Sequence, residues 1–334
     1  MSDKLLEVTD LSVRFRTDEE PVQAVDSLSF TLHEREILAI VGESGCGKSV
    51  TALSVLGLLP PAGEVVSGSV HFAGVDLADL SPTQLRDVRG KDISMVFQEP
   101  MTSLNPVLRI GRQITEVLRR HEGLSRGAAR SRAIELLTLV GIPAPERRID
   151  DYAHQMSGGM RQRVMIAMAL ACNPKVLIAD EPTTALDVTI QAGILDLMRE
   201  VRDRLGTAII LITHDLGVVA DMADRAMVMY AGRKVEEASI DDIFEHTQHP
   251  YTMGLLGAVP HPGNIPAVGE HRRLAEIKGR VPILHAPADH CAFAPRCSRA
   301  DDRSRSHVPP LQEERPGHLV ACFHPGRDDA EADR

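Results

Sequence analysis

The chain has 334 residues, of which 43% are hydrophobic and 25% are charged, and its formal net charge is −10. This length allows one large domain or two modest ones with an ample buried core. The acidic balance argues against a general nucleic-acid binder, which usually carries a surplus of basic residues.

No apolar run approaches the roughly 18–20 residues that span a bilayer. The first residues lack the basic and apolar regions of a signal peptide. The five cysteines, without a secretory signal, favour a reducing cytosol over a disulfide framework. We therefore expect a cytosolic protein that attaches to a membrane without crossing it.

The amino-terminal part of the chain predicts strands and then a helix. Residues 5–41 alternate apolar and polar positions, which is typical of an antiparallel β layer. The run at 37–41 is continuously apolar, as in a strand buried on both faces. A helix is expected from Ser49 to about Leu59, where two prolines stop it.

The middle of the chain predicts a mostly parallel sheet with helices on both faces. Apolar runs of the buried-strand type occur at 93–97, 176–180 and 208–213. Helical periodicity or spacing predicts helices within 106–150, 163–172 and 189–204. Because strands and helices alternate, the fold class is α/β.

The composition changes beyond residue 246. A final hairpin is predicted over 226–237, and eleven prolines between residues 250 and 325 then preclude long helices. Three of the five cysteines lie in this loop-rich region. We predict one domain over 1–245 with a helical subdomain at about 106–165, a second domain over 246–326, and a charged, disordered tail over 327–334.

Residues 42–49 fit the pattern G-x-x-x-x-G-K-[ST] between a predicted strand and a predicted helix, which is the context of a phosphate loop. Backbone N–H groups of such a loop wrap a β-phosphate, and the helix dipole adds to the attraction. Lys48 is expected to reach the β- and γ-phosphates, and the Ser49 hydroxyl is expected to bind Mg²⁺. The predicted nucleotide contacts here are Gly42, Ser44, Gly45, Cys46, Gly47, Lys48, Ser49 and Val50.

Two consecutive carboxylates end a second buried strand. Asp180 and Glu181 follow the apolar run at 176–179, and ligands of open α/β sheets bind at the carboxyl ends of strands. Asp180 suits Mg²⁺, and Glu181 is placed to polarise a water that attacks the γ-phosphate. His214 ends the neighbouring predicted strand, from which it could reach the same phosphate.

Together these segments resemble the nucleotide-binding subunit of ATP-binding-cassette (ABC) transporters, over nearly all of residues 5–325. This resemblance implies a P-loop NTPase cassette, with a RecA-like mostly parallel sheet, an antiparallel β layer and a helical subdomain, followed by a loop-rich appendage. Residues 157–162 resemble the signature motif, with Met160 where many members have glutamine. The motif residues that the resemblance assigns are Ser157 and Gly159 for a partner's nucleotide, Gln98 for Mg²⁺ and coupling, Asp187 at the dimer interface, His214 as the switch histidine, and Phe15 against adenine.

Further stretches resemble the oligopeptide/dipeptide importer branch of that family, at 97–106, 154–163 and 249–252. The resemblance implies ATP and Mg²⁺ as cofactors and a peripheral position at the cytoplasmic face of the inner membrane. It also implies a heterodimer with a second ATPase, two transmembrane permease subunits, an extracytoplasmic solute-binding protein and no nucleic acid. The expected function is ATP-driven import of di- or oligopeptides or of a related small solute.

Three cysteines of the appendage leave three alternatives open. In the family this region usually carries four cysteines, and some members bind a [4Fe–4S] cluster there. Cys291, Cys297 and Cys322 fit that pattern, but Ser304 stands at the third position. Thiolates suit an iron–sulfur cluster or zinc, and three ordinary cysteines in a small loop domain would explain the pattern equally well.

Other functional classes fit the sequence less well. Soluble cassette proteins of translation or DNA repair usually carry two cassettes or a long coiled-coil insertion, and this chain has neither. A small P-loop GTPase would contain an Asn-Lys-x-Asp motif, which does not occur. An export ATPase would normally be fused to membrane helices. The alternative that we retain is a soluble ABC ATPase acting outside transport.

Overall fold

The computed structural model describes residues 4–98, 103–183, 188–258 and 277–326. The chain divides into two compact units. The first unit comprises residues 1–7, 31–37 and 71–212, and the second comprises residues 8–30, 38–70 and 213–334. The predicted Asp187 and the predicted tail at 327–334 lie outside the described residues.

The described residues form twelve strands and eleven α-helices. The strands are β1 (Lys4–Phe15), β2 (Val22–His33), β3 (Ile37–Val41), β4 (Gly63–Phe72), β5 (Val75–Asp76), β6 (Ile93–Val96), β7 (Val176–Asp180), β8 (Ala208–Thr213), β9 (Arg225–Tyr230), β10 (Arg233–Ser239), β11 (Gln312–Arg315) and β12 (His318–Val320). The helices are α1 (Lys48–Val55), α2 (Pro82–Val88), α3 (Ile110–His121), α4 (Arg126–Leu139), α5 (Pro145–Arg148), α6 (Gly158–Ala169), α7 (Val188–Leu205), α8 (Leu216–Met222), α9 (Ile240–Glu245), α10 (Pro250–Gly257) and α11 (Asp302–Ser306).

The first unit contains the parallel part of the main sheet. Strand β7 lies between β6 and β8 and runs parallel to both, with Val96 opposite Ala179 and Asp180 opposite Ile212. Every residue of β7 and β8 is buried, as expected of strands covered on both faces. The α/β class predicted from the sequence is therefore confirmed, and β7 delivers Asp180 to its carboxyl end.

Several helices of the first unit, α4 and α6 among them, start at serine caps. Ser125 caps α4 by accepting the N–H of Ala128, and Ser157 caps α6 by accepting the N–H of Met160. The sequence prediction that a helix begins at 163 was wrong, because Ser157 caps a helix whose first residue is Gly158, five residues earlier. The signature segment is consequently the first turn of a helix rather than a loop before one.

In the second unit the sheet order is β11-β12-β10-β9-β3. Strand β3 pairs with β9 in parallel, whereas β9, β10, β12 and β11 pair in antiparallel fashion. Strand β12 belongs to the proline-rich region and adds directly to β10, with Val320 opposite Glu236. The appendage therefore shares a sheet with the strand that precedes the phosphate loop.

Helix α1 is shorter than the sequence predicted. It ends at Val55, with Leu56 as its C-cap, rather than at about Leu59. Gly57 follows in the left-handed region with φ 60°, and the N–H of Leu58 donates to the carbonyl of Leu53 at 2.8 Å. A left-handed glycine after a helix terminates it by this reversal of the backbone, so the helix stops before the prolines. Among the described residues, no helix is both long and apolar enough to span a membrane.

Candidate functional site

The loop between β3 and α1 in the second unit encloses the side chain of Lys48. This lysine is only 6% exposed, and its Nζ donates to the carbonyl oxygens of Gly42 at 2.8 Å and Glu43 at 3.1 Å. The N-cap of α1 is Gly47, which provides no side-chain cap. A helix N-terminus with a lysine held inside its preceding loop is chemically suited to bind phosphate groups.

Two glycines of this loop have no alternative residue. Gly42 and Gly47 have φ 152° and 100°, and a Cβ added to them would lie 2.3 Å from the Met229 carbonyl oxygen and 2.5 Å from that of Ala24. Both positions therefore require glycine because of the backbone conformation and the close neighbour. The predicted contacts Ser44 and Gly45 are exposed, and Ser49 and Val50 are half-buried.

We expect Gly47→Ala to lower the free energy of unfolding by more than about 2 kcal/mol. The left-handed conformation alone costs a side chain about 1–2 kcal/mol, and the clash with Ala24 adds to this. Gly74→Ala is the matched control, because Gly74 has φ 81° but open space around its added Cβ. Urea denaturation followed by circular dichroism measures both variants, and equal losses would contradict the prediction.

Cys46 faces the same lysine from within the loop. Its side chain is fully buried, and its Sγ lies 3.8 Å from Lys48 Nζ. Burial raises the pKa of this thiol above its usual value, more than the neighbouring lysine lowers it. The thiol therefore stays protonated near neutral pH and acts as a small packing group of the loop.

The first unit brings two predicted residues, Glu181 and Gln98, into direct contact. Gln98 Nε2 donates to Glu181 Oε2 at 2.9 Å. Glu181 lies in the left-handed region with φ 47°, and its N–H donates to the Ile212 carbonyl at 2.9 Å. A non-glycine residue in this region carries backbone strain. Asp180, immediately before it, is the last residue of β7 and is 4% exposed.

The signature serine is positioned by the start of α6. Ser157 is exposed, and its Oγ accepts the N–H of Met160 at 3.3 Å. Gly159 is the second residue of α6, where an added Cβ would approach Ile190 Cγ2 to 3.0 Å. These two residues therefore lie at an exposed helix N-terminus, which is a favourable place for an anionic group.

His214 follows β8 and is exposed in the second unit. The next residue, Asp215, fixes the turn after it: its Oδ1 accepts the N–H groups of Gly217 at 2.9 Å and Val218 at 3.3 Å. This positioning residue was not among those predicted from the sequence, although an aspartate directly before an apolar helix is a typical N-cap signal. Phe15 ends β1 and lies against Gly63, whose added Cβ would be 2.9 Å from Phe15 Cε1.

The three cysteines of the appendage line one small cavity together with Ser304. Ser304 is 6% exposed, and its Oγ accepts the N–H of Asp301 at 2.8 Å and donates to the Asp301 carbonyl at 2.9 Å. Its hydroxyl is thus committed to capping α11. Burial raises the pKa of Cys291, and it raises that of Cys322 to about 11.

Within the part of the chain that the structure describes, no three His, Cys, Asp or Glu residues are grouped to hold a metal ion. The hydroxyl of Ser304, at the third position of the pattern, is engaged in its own helix cap. Four thiolates hold an iron–sulfur cluster of this type, and this region of the chain offers three cysteines. The residues present therefore do not fit the [4Fe–4S] cluster considered from the sequence, and they do not support zinc either.

A buried histidine lies beside this cavity. His249 is 2% exposed, its ring Nδ1 accepts the backbone N–H of Tyr251 at 3.0 Å, and its backbone N–H donates to Glu236 Oε2 at 3.1 Å. Glu236 is fully buried and also hydrogen-bonds His318 Nε2 at 2.8 Å. Burial lowers the pKa of His249 to about 4.

We expect the stability of the chain to fall as the pH decreases from about 6.5 towards 4. In this window the unfolded histidine binds a proton that folded His249 does not, so the loss reaches about 3 kcal/mol at the lower end. His249→Asn keeps an acceptor for the helix N-terminus but removes the titrating ring. Thermal unfolding at pH 7.5 and 5.0 should show a smaller acid-induced drop for H249N, and an unchanged drop would contradict the assignment.

Comparisons with known proteins find two family models and several relatives that are similar to this chain. The family model described as "ABC transporter" matches residues 25–184, and the model described as "Oligopeptide/dipeptide transporter, C-terminal region" matches residues 235–303. A probable peptide ABC transporter ATP-binding protein, y4tR of Sinorhizobium fredii, is 53% identical over 96% of this chain and 95% of the relative. The oligopeptide transport ATP-binding protein OppD of Bacillus subtilis is 52% identical over 96% of this chain and 90% of the relative.

A solved structure agrees with this similarity. The dimeric bacterial ABC transporter cassette MJ0796 is 28% identical, with a TM-score of 0.64, over 70% of this chain and 98% of that chain. The same cassette has been solved in a post-hydrolysis state with ADP and phosphate. The chain therefore belongs to the ATP-binding proteins of the ABC transporter family, and it carries the oligopeptide/dipeptide transporter C-terminal region.

Proposed function

We propose that this chain is the ATP-hydrolysing subunit that powers import of di- or oligopeptides, or of a related small solute, through a membrane ABC transporter. The observation that carries the proposal is the presence of both family regions on one chain, the cassette at 25–184 and the oligopeptide/dipeptide region at 235–303. Relatives at 52–53% identity that cover 96% of the chain are named as peptide transport ATP-binding proteins.

In this proposal the phosphate loop binds the triphosphate. Lys48 leaves its resting contacts with Gly42 and Glu43 and donates to the β- and γ-phosphate oxygens instead. Ser49, Gln98 and Asp180 would hold Mg²⁺, which neutralises charge on the β- and γ-phosphates when bound. Phe15 would stack on the adenine.

Glu181 is the proposed general base. It accepts a proton from the water that attacks the γ-phosphorus. The bond from the γ-phosphorus to the β–γ bridging oxygen breaks, and that oxygen leaves with the electron pair as part of ADP. His214 would donate to the γ-phosphate and stabilise its charge. The contact between Gln98 and Glu181 supports this role, because a hydrogen bond at 2.9 Å fixes the position of the carboxylate.

The second nucleotide contact would come from a partner. Ser157, Gly159 and Asp187 are proposed to complete the site of a second ATPase subunit, as the exposed N-terminus of α6 allows. Two ATP molecules would hold the dimer closed, and hydrolysis would release it. The further proposed partners are two transmembrane permease subunits and an extracytoplasmic solute-binding protein, with this chain at the cytoplasmic face of the inner membrane.

The assembly can be tested by capturing it in the ATP-bound state. A tagged Glu181→Gln chain is trapped with Mg-ATP in detergent-solubilised native membranes, and the proteins that co-purify are identified by mass spectrometry. Two polytopic membrane proteins and a related ATPase support the proposal. A tagged Lys48→Ala chain serves as control for ATP-dependent capture. Recovery of ribosomes or DNA without membrane proteins would overturn it in favour of a soluble ABC ATPase.

A further inference from the structure

An ion pair joins the cysteine-bearing segment to the phosphate loop, 253 residues apart in sequence. Arg296 Nη1 and Nη2 donate to the two carboxylate oxygens of Glu43 at 2.6 and 2.9 Å. Glu43 is the second residue of the phosphate loop, and Arg296 directly precedes Cys297. Both residues lie in the second unit. This fork-to-fork pairing is the strongest and most directional geometry of an arginine with a carboxylate.

Arg296 is held rigidly on its own side. Its side chain is 5% exposed, its Nε donates to the Lys278 carbonyl at 2.9 Å, and its Nη2 also donates to the Ile277 carbonyl at 3.0 Å. The guanidinium carbon lies 5.7 Å from the ring centre of Tyr230 and 6.0 Å from that of Phe293. Because two carbonyls and two aromatic rings hold the guanidinium in place, Arg296 anchors the Glu43 side chain.

Glu43 is held from two further directions. Its N–H donates to the Tyr251 hydroxyl at 2.8 Å, and its carbonyl accepts from Lys48 Nζ at 3.1 Å. Tyr251 is fully buried and packs edge-on against Tyr230, with ring centres 4.7 Å apart. Two residues of the carboxyl-terminal region, Tyr251 and Arg296, therefore bind Glu43, whose carbonyl also accepts a hydrogen bond from Lys48.

We propose that Arg296 is a positioning residue for nucleotide binding, which acts through Glu43 to set the affinity of the phosphate loop for ATP. The inference rests on the proposed function of that loop. Two physical effects support it: Arg296 neutralises a carboxylate that would otherwise repel a nearby triphosphate, and it fixes the loop backbone in one conformation. The carboxyl-terminal region is thereby part of the nucleotide site and can transmit a change in its own packing to it.

The test is a double-mutant cycle on the purified full-length chain, read out by fluorescent N-methylanthraniloyl-ATP binding. Arg296→Gln is expected to raise the Kd about tenfold, which corresponds to about 1.4 kcal/mol. In R296Q the carboxylate of Glu43 has lost the arginine that neutralises it. Glu43→Gln removes that carboxylate, so adding R296Q to E43Q should change the Kd by less than about twofold. Arg296→Lys restores the charge without the fork and should give an intermediate Kd.

Matched measurements separate positioning from folding. Arg305→Gln changes an exposed arginine of the same appendage and should leave the Kd unchanged. The thermal unfolding midpoint of each variant is recorded, and R296K serves if R296Q does not fold. A Kd for R296Q equal to wild type, or a tenfold effect that persists in E43Q, would overturn the inference. Failure of the wild-type chain to bind the nucleotide would instead overturn the proposed function.

Discussion

Replacement of Glu181 by glutamine is expected to lower the ATP turnover number by about 10²–10⁴-fold, the usual contribution of a general base. ATP should still bind, because the substitution leaves Lys48 and the phosphate loop unchanged. Glutamine also retains an oxygen that can accept the hydrogen bond from Gln98, so the resting contact at 2.9 Å is preserved. The loss therefore falls on turnover and not on affinity.

Phosphate release by complexes purified from native membranes measures this effect. Glu34→Gln is the matched control, since Glu34 is an exposed glutamate outside the proposed site and should leave turnover unchanged. A ratio of kcat values near one between wild type and E181Q would rule out Glu181 as the base. A large rise in KM with unchanged kcat would assign it a binding role instead.

Lys48→Ala is expected to weaken ATP binding by about 10²-fold or more. Hydrogen bonds to charged groups contribute about 1.5–3 kcal/mol each, and the lysine is proposed to make such contacts with two phosphates. Because the side chain is 6% exposed inside the loop, its loss also leaves the carbonyls of Gly42 and Glu43 without this donor. The loss of the phosphate contacts and the loss of these two hydrogen bonds both affect the phosphate loop.

Titration of the full-length chain with the fluorescent nucleotide tests this expectation. Lys91→Ala removes an exposed lysine of the first unit and should leave the Kd within about twofold of wild type. An equal Kd for K48A and wild type would show that Lys48 is not a phosphate ligand. Thermal unfolding of the same samples establishes that the alanine variant is folded.

Local sequence patterns predicted the parts of the site that single segments build. A strand, a glycine-rich turn and a helix follow one another within residues 37–55, so the phosphate loop could be recognised without tertiary information. The same holds for Asp180 and Glu181, because an apolar strand places whatever follows it at the sheet edge. The left-handed backbone of Glu181 was not predictable, since no residue type signals it.

Contacts between distant segments were beyond the sequence patterns. The pairing of Arg296 with Glu43 and the addition of β12 to β10 join segments far apart in the chain, and neither has a periodicity or a turn residue that would indicate it. For Ser304, the sequence pattern indicated a role that the structure does not support. Its position suggested a missing ligand, but only the structure shows that its hydroxyl caps a helix with Asp301.

The most direct test of the account is peptide uptake by the source organism. Cells lacking this chain are complemented with wild type, Glu181→Gln or Glu34→Gln, and depletion of a defined mixture of di- and oligopeptides from the medium is followed by mass spectrometry. We expect deletion to abolish uptake of a subset of peptides, and we expect wild type and E34Q, but not E181Q, to restore it. Unchanged peptide uptake in the deletion strain, or full restoration by E181Q, would contradict it.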